Sequence, residues 1–390
     1  MTKKKPKGVI MKILLCGGGT GGHITPILAV AHEIKRVNPE AYIIYVGEHG
    51  GKFSHLVKNV TSIDETRTVY GGKLRRYHNQ SWIKRILDVK TNLLNIRDLF
   101  YVLLGYFQSR SIIRKENPSA IFIKGGYIGL PVGLAAASKK IPYITHDSDA
   151  NESLTTRIIG KWAMYHATGM PTRLYSYPQD KTRYVGVPVA SEFEYVTDTL
   201  KQEYRSDLNI PKNAKMLLIT GGSLGATRLN NEISKIIPEL FEQINDLFVV
   251  HQVGKGNLKV YGKYENKQLI VAEFIQDLYK YTGAADVIIA RSGATTVAEL
   301  AIQAKPLILI PNPELTGGHQ TKNANSLSDK DASIVITENK LKNDPDHLLN
   351  VLVELMNDTN MQLKLSENLH NESVQDSANK IAVLLLSLVN

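Results

Sequence analysis

Short apolar runs recur along the chain, and the strongest of them end in turns rich in glycine. Residues 11–16 (MKILLC) read as a buried strand that leads straight into Gly17-Gly18-Gly19-Thr20-Gly21-Gly22-His23. From Pro26 to Ile34 the spacing turns helical, with the proline near the first turn, where its missing N–H costs little. AYIIYVG (41–47), AIFIK (120–124) and PYIT (142–145) predict further strands, followed by polar or glycine turns. Helical patterns lie between them, which is the βαβ rhythm of a parallel sheet.

The same grammar restarts near Lys215. MLLIT (216–220) predicts a strand before Gly221-Gly222-Ser223-Leu224-Gly225-Ala226, and a helix runs from Thr227 to about Gln243. LFVVHQ (247–252), LIVAEF (269–274), DVIIA (286–290) and PLILIP (306–311) supply more strands. Two glycine-loop openings about 200 residues apart predict two Rossmann-like lobes rather than one long sheet. The expected division is a first lobe over 11–185, a linker over 186–212, a second lobe over 213–370 and a terminal helix over 371–390. That helix ends in IAVLLLSLV, apolar enough to pack, and is expected to cross back onto the first lobe.

Composition narrows the class. The 390 residues are 43% hydrophobic and 22% charged, which is globular and leaves disorder aside. The single cysteine, Cys16, excludes an internal disulfide framework and a cysteine-based zinc finger, and fits a reducing compartment. No apolar stretch reaches the 18 or so residues that span a bilayer. The basic start MTKKKPKGVI has no apolar run behind it, so a secretory signal is not expected, and Met11 is a second candidate start. The net charge of +10 is uneven. Residues 1–150 carry 23 Lys and Arg against 10 Asp and Glu, whereas residues 151–390 carry 24 against 27. Such asymmetry points the first half toward a polyanion or an anionic membrane.

Gly17-x-Gly19-x-x-Gly22 after a strand spells the dinucleotide fingerprint, and Glu48 at the end of the second strand suits a ribose-binding acid. A nicotinamide-dependent oxidoreductase is therefore one reading. The loop, however, ends in His23, which suits a base beside a reacting hydroxyl as well as a helix-capping role.

The order and spacing of six motifs decide more. GGGTGGHITPILAVA, KGGYIGLPVGLAA, ITGGSLGATRLNN, VHQVGKG, AEFI and RSGATTVAELA together resemble the MurG family over nearly the whole chain. These are UDP-N-acetylglucosamine:N-acetylmuramyl-(pentapeptide)-pyrophosphoryl-undecaprenol N-acetylglucosaminyltransferases. The resemblance implies an α/β protein of GT-B glycosyltransferase fold, with two Rossmann-like lobes facing a central cleft. It implies UDP-GlcNAc held by the second lobe and a polyprenyl-pyrophosphate-linked muramyl peptide (lipid I) held by the first. The reaction implied is an inverting displacement that forms lipid II for peptidoglycan synthesis.

In the first lobe the resemblance implies Thr20, Gly21, Gly22, Gly126 and Tyr127 at the substrate, with His23 as the base. In the second it implies Gly222 and Ser223 at the diphosphate, and Phe274 and Ile275 at the uracil, backbone groups reading the base edge. Ser292, Ala294, Thr295 and Thr296 supply donors at a helix start, Glu299 holds the ribose hydroxyls, and Gln320 and Asn323 face the sugar. Read as residues alone, Glu299 is equally a first-turn acid favoured by the helix dipole, and the two amides are solvated helix positions. A helix N-terminus neutralises a leaving diphosphate without a metal, and no cofactor or metal is expected. Asp147-Ser148-Asp149 spells a DxD pair but falls in the acceptor lobe.

The chain departs from the family in places. His146-Asp147-Ser148-Asp149 stands for His-Glu-Gln-Asn, so Asp149 becomes a second candidate base, with a turn or helix cap as its other reading. Ala190 replaces an arginine, His319 the first of two glutamines, and Leu224 a glutamine after Gly-Gly-Ser.

The charge asymmetry also finds a place. Lys73, Arg75, Arg76, Lys84, Arg85, Lys90 and Arg97 interleave with Leu74, Trp82, Ile83, Ile86, Leu87, Leu93, Leu94, Ile96, Leu99 and Phe100. That mixture suits docking at an anionic membrane surface, on the cytoplasmic face and peripherally. No nucleic-acid partner is expected, since no recognised nucleic-acid module appears. Two further alternatives stay open: a sister glycosyltransferase with another lipid acceptor, and a non-catalytic, membrane-bound partner of wall-synthesis enzymes.

Overall fold

A computed structural model describes residues 11–73, 88–222, 225–315 and 318–389. The chain forms two compact units, one of residues 1–190 with 376–390 and one of residues 191–375.

The first unit is built on a seven-stranded parallel sheet. Its strands are β1 (Lys12–Cys16), β2 (Tyr42–Glu48), β3 (Glu65–Val69), β4 (Ala120–Ile123), β5 (Tyr143–Asp147), β6 (Tyr165–Thr168) and β7 (Thr182–Tyr184), in the order β3-β2-β1-β4-β5-β6-β7. The helices are α1 (Gly21–Val37), α2 (Val89–Glu116), α3 (Gly126–Lys139) and α4 (Leu154–Ile159). The central strands β1 and β4 are buried on both sides, which is why they read as unbroken apolar runs rather than alternating ones.

The second unit repeats the plan. Helix α5 (Asp198–Asp207) precedes β8 (Lys215–Thr220), α6 (Thr227–Gln243), β9 (Leu247–Gln252), β10 (Leu269–Ala272), α7 (Leu278–Ala284) and β11 (Val287–Ala290). Then come α8 (Ala294–Ile302), β12 (Leu307–Leu309), α9 (His319–Ser328), β13 (Ile334–Val335), α10 (Glu338–Asn343), α11 (Pro345–Asn357) and α12 (Thr359–Asn371). The sheet order is β10-β9-β8-β11-β12-β13. The last helix, α13 (Ser377–Leu386), returns to the first unit, where Ile381, Ala382 and Leu385 join the core beneath α1.

Both sheets reverse direction of winding at one point, between β1 and β4 in the first and between β8 and β11 in the second. Neighbouring crossovers there leave on opposite faces, so a crevice opens at the carboxyl ends of those strands. Each glycine loop sits at such a point.

Two expectations need correction. Residues 191–212 are not a linker, because they belong to the second unit and contain α5. The helix looks polar, yet Arg205 is buried and donates to Ala284 O, Lys212 O and Asp286. The strand expected over 269–274 stops at Ala272, and the one over 306–311 spans only Leu307–Leu309.

Candidate functional site

In the first unit, the loop after β1 turns into α1 through Thr20, in the N-cap position. Threonine there ordinarily accepts a hydrogen bond from the helix backbone. Here its hydroxyl makes no such cap and lies 3.0 Å from Nδ1 of His23 instead. Gly21 and Gly22 form the start of the helix, so His23 projects from the first turn with its ring fixed by Thr20.

The dinucleotide reading fails at this loop. The Tyr127 ring covers Gly19, whose φ is +92°, and a Cβ there would lie 2.7 Å from Tyr127 Cε1. The Tyr127 phenol also lies within the field of Glu48, the carboxylate proposed for a ribose. Burial and Glu48 together push the Tyr127 phenol up.

Across the switch point, β4 ends and Lys124 follows, its amide donating to Cys16 O at 2.9 Å. Its side chain is buried and its Nζ donates to Ser148 Oγ at 2.6 Å. Burial lowers Lys124 to about 8 against the pull of Asp149 and Asp147. Gly126, the first residue of α3, lies against the His23 ring, since a Cβ built on it would be 3.7 Å from Nδ1 and Cε1. Burial, then Lys124, brings His23 down to about 4, while Asp149 acts in the opposite sense. The imidazole is therefore neutral at physiological pH.

The acidic turn after β5 divides its labour. Asp147 accepts from Ser153 N at 3.0 Å, Thr156 Oγ1 at 2.7 Å and Tyr177 OH at 2.7 Å, so both its oxygens are committed to holding the turn. Asp149 is not a helix cap, because Ser153 caps α4. Its backbone carbonyl accepts from Tyr175 OH at 2.7 Å. His146 is fully buried and donates Nε2–H to Gly186 O at 2.9 Å, and burial holds it well below the usual imidazole range.

In the second unit the glycine loop after β8 passes through Gly221 and Gly222, while Ser223 and Leu224 lie outside the described residues. Gly225 has φ +72°, and a Cβ there would sit 2.4 Å from Val253 O, so no larger residue fits. Gln252 stitches this loop to the segment after β10. Its Nε2 donates to Thr220 Oγ1 and to Gly222 O, both at 3.3 Å, and its Oε1 accepts from Ile275 N at 3.0 Å. The Ile275 amide is thus already occupied, while Phe274 presents an exposed ring beside it.

Beyond β11, Ser292 is buried and donates to Gln320 O at 2.8 Å. Ala294, Thr295 and Thr296 open α8. Glu299 falls in the second turn, with no acid in the first, so the dipole does not account for it. Its carboxylate makes no hydrogen bond among the described residues, and desolvation raises it to about 8. Gln320 and Asn323 are buried rather than solvated. Gln320 Oε1 accepts from Asn312 N at 2.9 Å and Asn323 donates to Ser292 O at 3.1 Å, so both shape the loops around α8. Arg228, in the first turn of α6, forks onto Glu314 at 2.5 and 2.9 Å and reaches Asn312 Oδ1 at 3.2 Å.

Lys124, Gln252 and Arg228 were not among the expected site residues. All three lay inside the quoted motifs, where a charged or amide side chain close to a glycine loop was the available signal.

Two doubly wound parallel-sheet units, each with a glycine loop and a helix start at its switch point, define the GT-B class of glycosyltransferase. Comparison with known proteins agrees. The glycosyltransferase family 28 N-terminal domain matches residues 13–167 and its C-terminal domain residues 216–381. The chain is 32% identical over 385 residues to the UDP-N-acetylglucosamine--N-acetylmuramyl-(pentapeptide) pyrophosphoryl-undecaprenol N-acetylglucosamine transferase of Ruminiclostridium cellulolyticum, covering 97% of this chain and 100% of that one. A Bacillus cereus relative of the same name, numbered 1, is 31% identical over 382 residues, again with 97% and 100% coverage. Among solved structures, MurG of Acinetobacter baumannii superposes with a TM-score of 0.68 at 22% identity, covering 97% of this chain and 99% of that one. A UDP-GlcNAc 2-epimerase from Neisseria meningitidis bound to UDP-GlcNAc gives 0.62 at 14% identity, with 97% and 100% coverage, so the fold by itself does not fix the reaction. The chain belongs to the MurG family of glycosyltransferases.

Proposed function

We propose that the chain transfers N-acetylglucosamine from UDP-GlcNAc to a hydroxyl of undecaprenyl-pyrophosphoryl-MurNAc-pentapeptide, releasing UDP and inverting the anomeric centre. The full-length match to relatives that carry this name supports the substrates. The observation that carries the chemistry is the neutral His23 imidazole, oriented by Thr20 at the first switch point and flanked by Asp149. With Nδ1–H donated to Thr20, Nε2 presents the lone pair that accepts a hydroxyl proton. His23 or Asp149 takes that proton as the acceptor oxygen bonds to the anomeric carbon and the bond to UDP breaks. In the second unit, the helix starts of α6 and α8 face the developing diphosphate charge, and Glu299 accepts from the ribose hydroxyls.

The acceptor is a membrane lipid, and a peripheral seat on the cytoplasmic face of the membrane follows. Support comes from α2, where Leu93, Ile96, Phe100, Leu103 and Phe107 recur at helical spacing, each more than half exposed. Of these, Ile96, Phe100 and Leu103, with Trp162 and α3, line an open apolar trough of about 880 Å³. Lys73 and Arg97 flank it in sequence, the Lys90 side chain is not described, and residues 74–87 lie outside the described residues. No helix among the described residues is long and apolar enough to cross a membrane.

A panel of acceptors tests the assignment against a sister transferase. Labelled donor is offered with the muramyl-pentapeptide lipid, with diacylglycerol and with a polyprenyl-linked sugar lacking the peptide. Label should enter the first alone; labelling of another lipid in preference to it overturns the acceptor assignment.

A further inference from the structure

We propose that Lys124 is a positioning residue for the proton-accepting pair His23 and Asp149: its buried ammonium, bonded to Ser148, pins the turn that carries Asp149 and sets the charge around both groups. The inference rests on the acceptor-site reading above. Lys124 leaves the end of β4 at the switch point, beneath the glycine loop that delivers His23. Only 3% of the residue is exposed, and its Nζ donates to Ser148 Oγ at 2.6 Å. An ammonium withdrawn from water is costly unless countercharges face it. Those countercharges are Asp147 and Asp149, on the two sides of the serine it holds.

The groups around it come from every neighbouring element. His23 faces it from α1, and His146, Asp147 and Asp149 from β5 and the following turn, with Tyr175 and Tyr177 behind Asp147. Asp147 is held by three donors and so fixes the turn in which Ser148 and Asp149 follow. The cation also keeps the proton affinity of His23 low, second only to burial. Lys124 therefore has two effects that a purely structural lysine lacks. It places Asp149, and its charge sets where the neighbouring base titrates.

The charge itself is conditional. Lys124 titrates at about 8, far below an ordinary lysine, because burial opposes its charged form. As pH rises through that value the ammonium is lost and turnover should fall.

The test is the pH profile of kcat at saturating donor and muramyl-lipid acceptor for wild type, Lys124→Met, Lys124→Arg and Ser148→Ala. Wild type should show an alkaline limb near pH 8. Lys124→Met should lose kcat about 10- to 100-fold with acceptor KM little changed, lack that limb and show its acid limb at higher pH. Lys124→Arg, charged at all these pH values, should keep activity above pH 8 where wild type declines. Ser148→Ala keeps the cation but removes its anchor, so it should lower kcat with the alkaline limb retained. This last variant carries the test if Lys124→Met does not fold, with the far-UV circular dichroism and urea midpoint of the whole chain as the check on folding. Equal loss at every pH with unmoved limbs, or a Lys124→Met profile like wild type, overturns the proposal while transfer by wild type leaves the transferase reading intact. A wild type that transfers nothing to the muramyl lipid overturns that reading, and this inference with it.

Discussion

Thr20 Oγ1 lies 3.0 Å from Nδ1 of His23, so the residue expected to cap the first helix is used to orient the candidate base. If the imidazole donates Nδ1–H, Nε2 is free to take a proton. Thr20→Val removes the acceptor for that donation with little change in shape. It should lower kcat by about 10-fold with a smaller change in acceptor KM, and His23→Ala by about 100-fold or more. Steady-state kinetics on both variants and on Asp149→Ala check this. Near-normal turnover in His23→Ala, with activity lost in Asp149→Ala, assigns the base to Asp149.

Glu299 gives a proton signature for donor binding. Its carboxyl is raised to about 8 by desolvation, so at pH 7 to 8 a large fraction carries a proton. Ribose hydroxyls that donate to the carboxylate favour its charged form and lower that value, so UDP-GlcNAc binding should release protons in this range. Calorimetry in buffers of different ionisation enthalpy reads the release directly. Glu299→Gln should abolish it and weaken binding about 10- to 100-fold, as expected for loss of a hydrogen bond to a charged group.

Acid should weaken the fold before the carboxylates account for it. His166 and His251 are buried and lowered to about 4 and about 3, against about 6.5 in an unfolded chain. The unfolded chain binds more protons between those values, so the stability these groups contribute is complete above about pH 6.5. It is lost as pH falls, by about 1.4 kcal/mol per pH unit for each imidazole that stays neutral in the fold. His251 bonds Tyr261 OH at 2.8 Å and Asn230 Oδ1 at 3.1 Å, and His251→Gln should flatten the pH dependence of the second unit's urea midpoint between pH 6 and 4.

Membrane binding should depend on the outward face of α2. Phe100→Glu with Leu103→Glu places two charges where both side chains are more than half exposed, so the fold should tolerate them. Sedimentation with vesicles containing anionic lipid should show binding reduced at least about 10-fold. UDP-GlcNAc affinity should stay at its wild-type value.

The strongest apolar runs gave up the fold readily. Strands β1, β4, β8 and β9 are buried on both faces, and their sequences carry no competing period. Strands β3 (ETRTV), β6 (YHAT) and β7 (TRY) were not anticipated, because they lie at or next to the sheet edge, where polar residues are tolerated. Helix α5 was hidden for a related reason: its buried anchor is Arg205, whose partner Asp286 lies 81 residues away. The site divides in the same way. Its glycine loops are local and readable, whereas the commitment of Asp147 depends on Tyr177, 30 residues on, and that of Ile275 on Gln252. Lys124 looked like a motif letter until Ser148 and the sheet order placed it beside His23.

The most direct measurement is a transfer assay with labelled UDP-GlcNAc and the undecaprenyl-pyrophosphoryl-MurNAc-pentapeptide lipid, following lipid-bound label and released UDP together. The account predicts one UDP for each N-acetylglucosamine that enters the lipid, and negligible UDP release when the acceptor is omitted. UDP release that is independent of the lipid, or label that never reaches it, would contradict it.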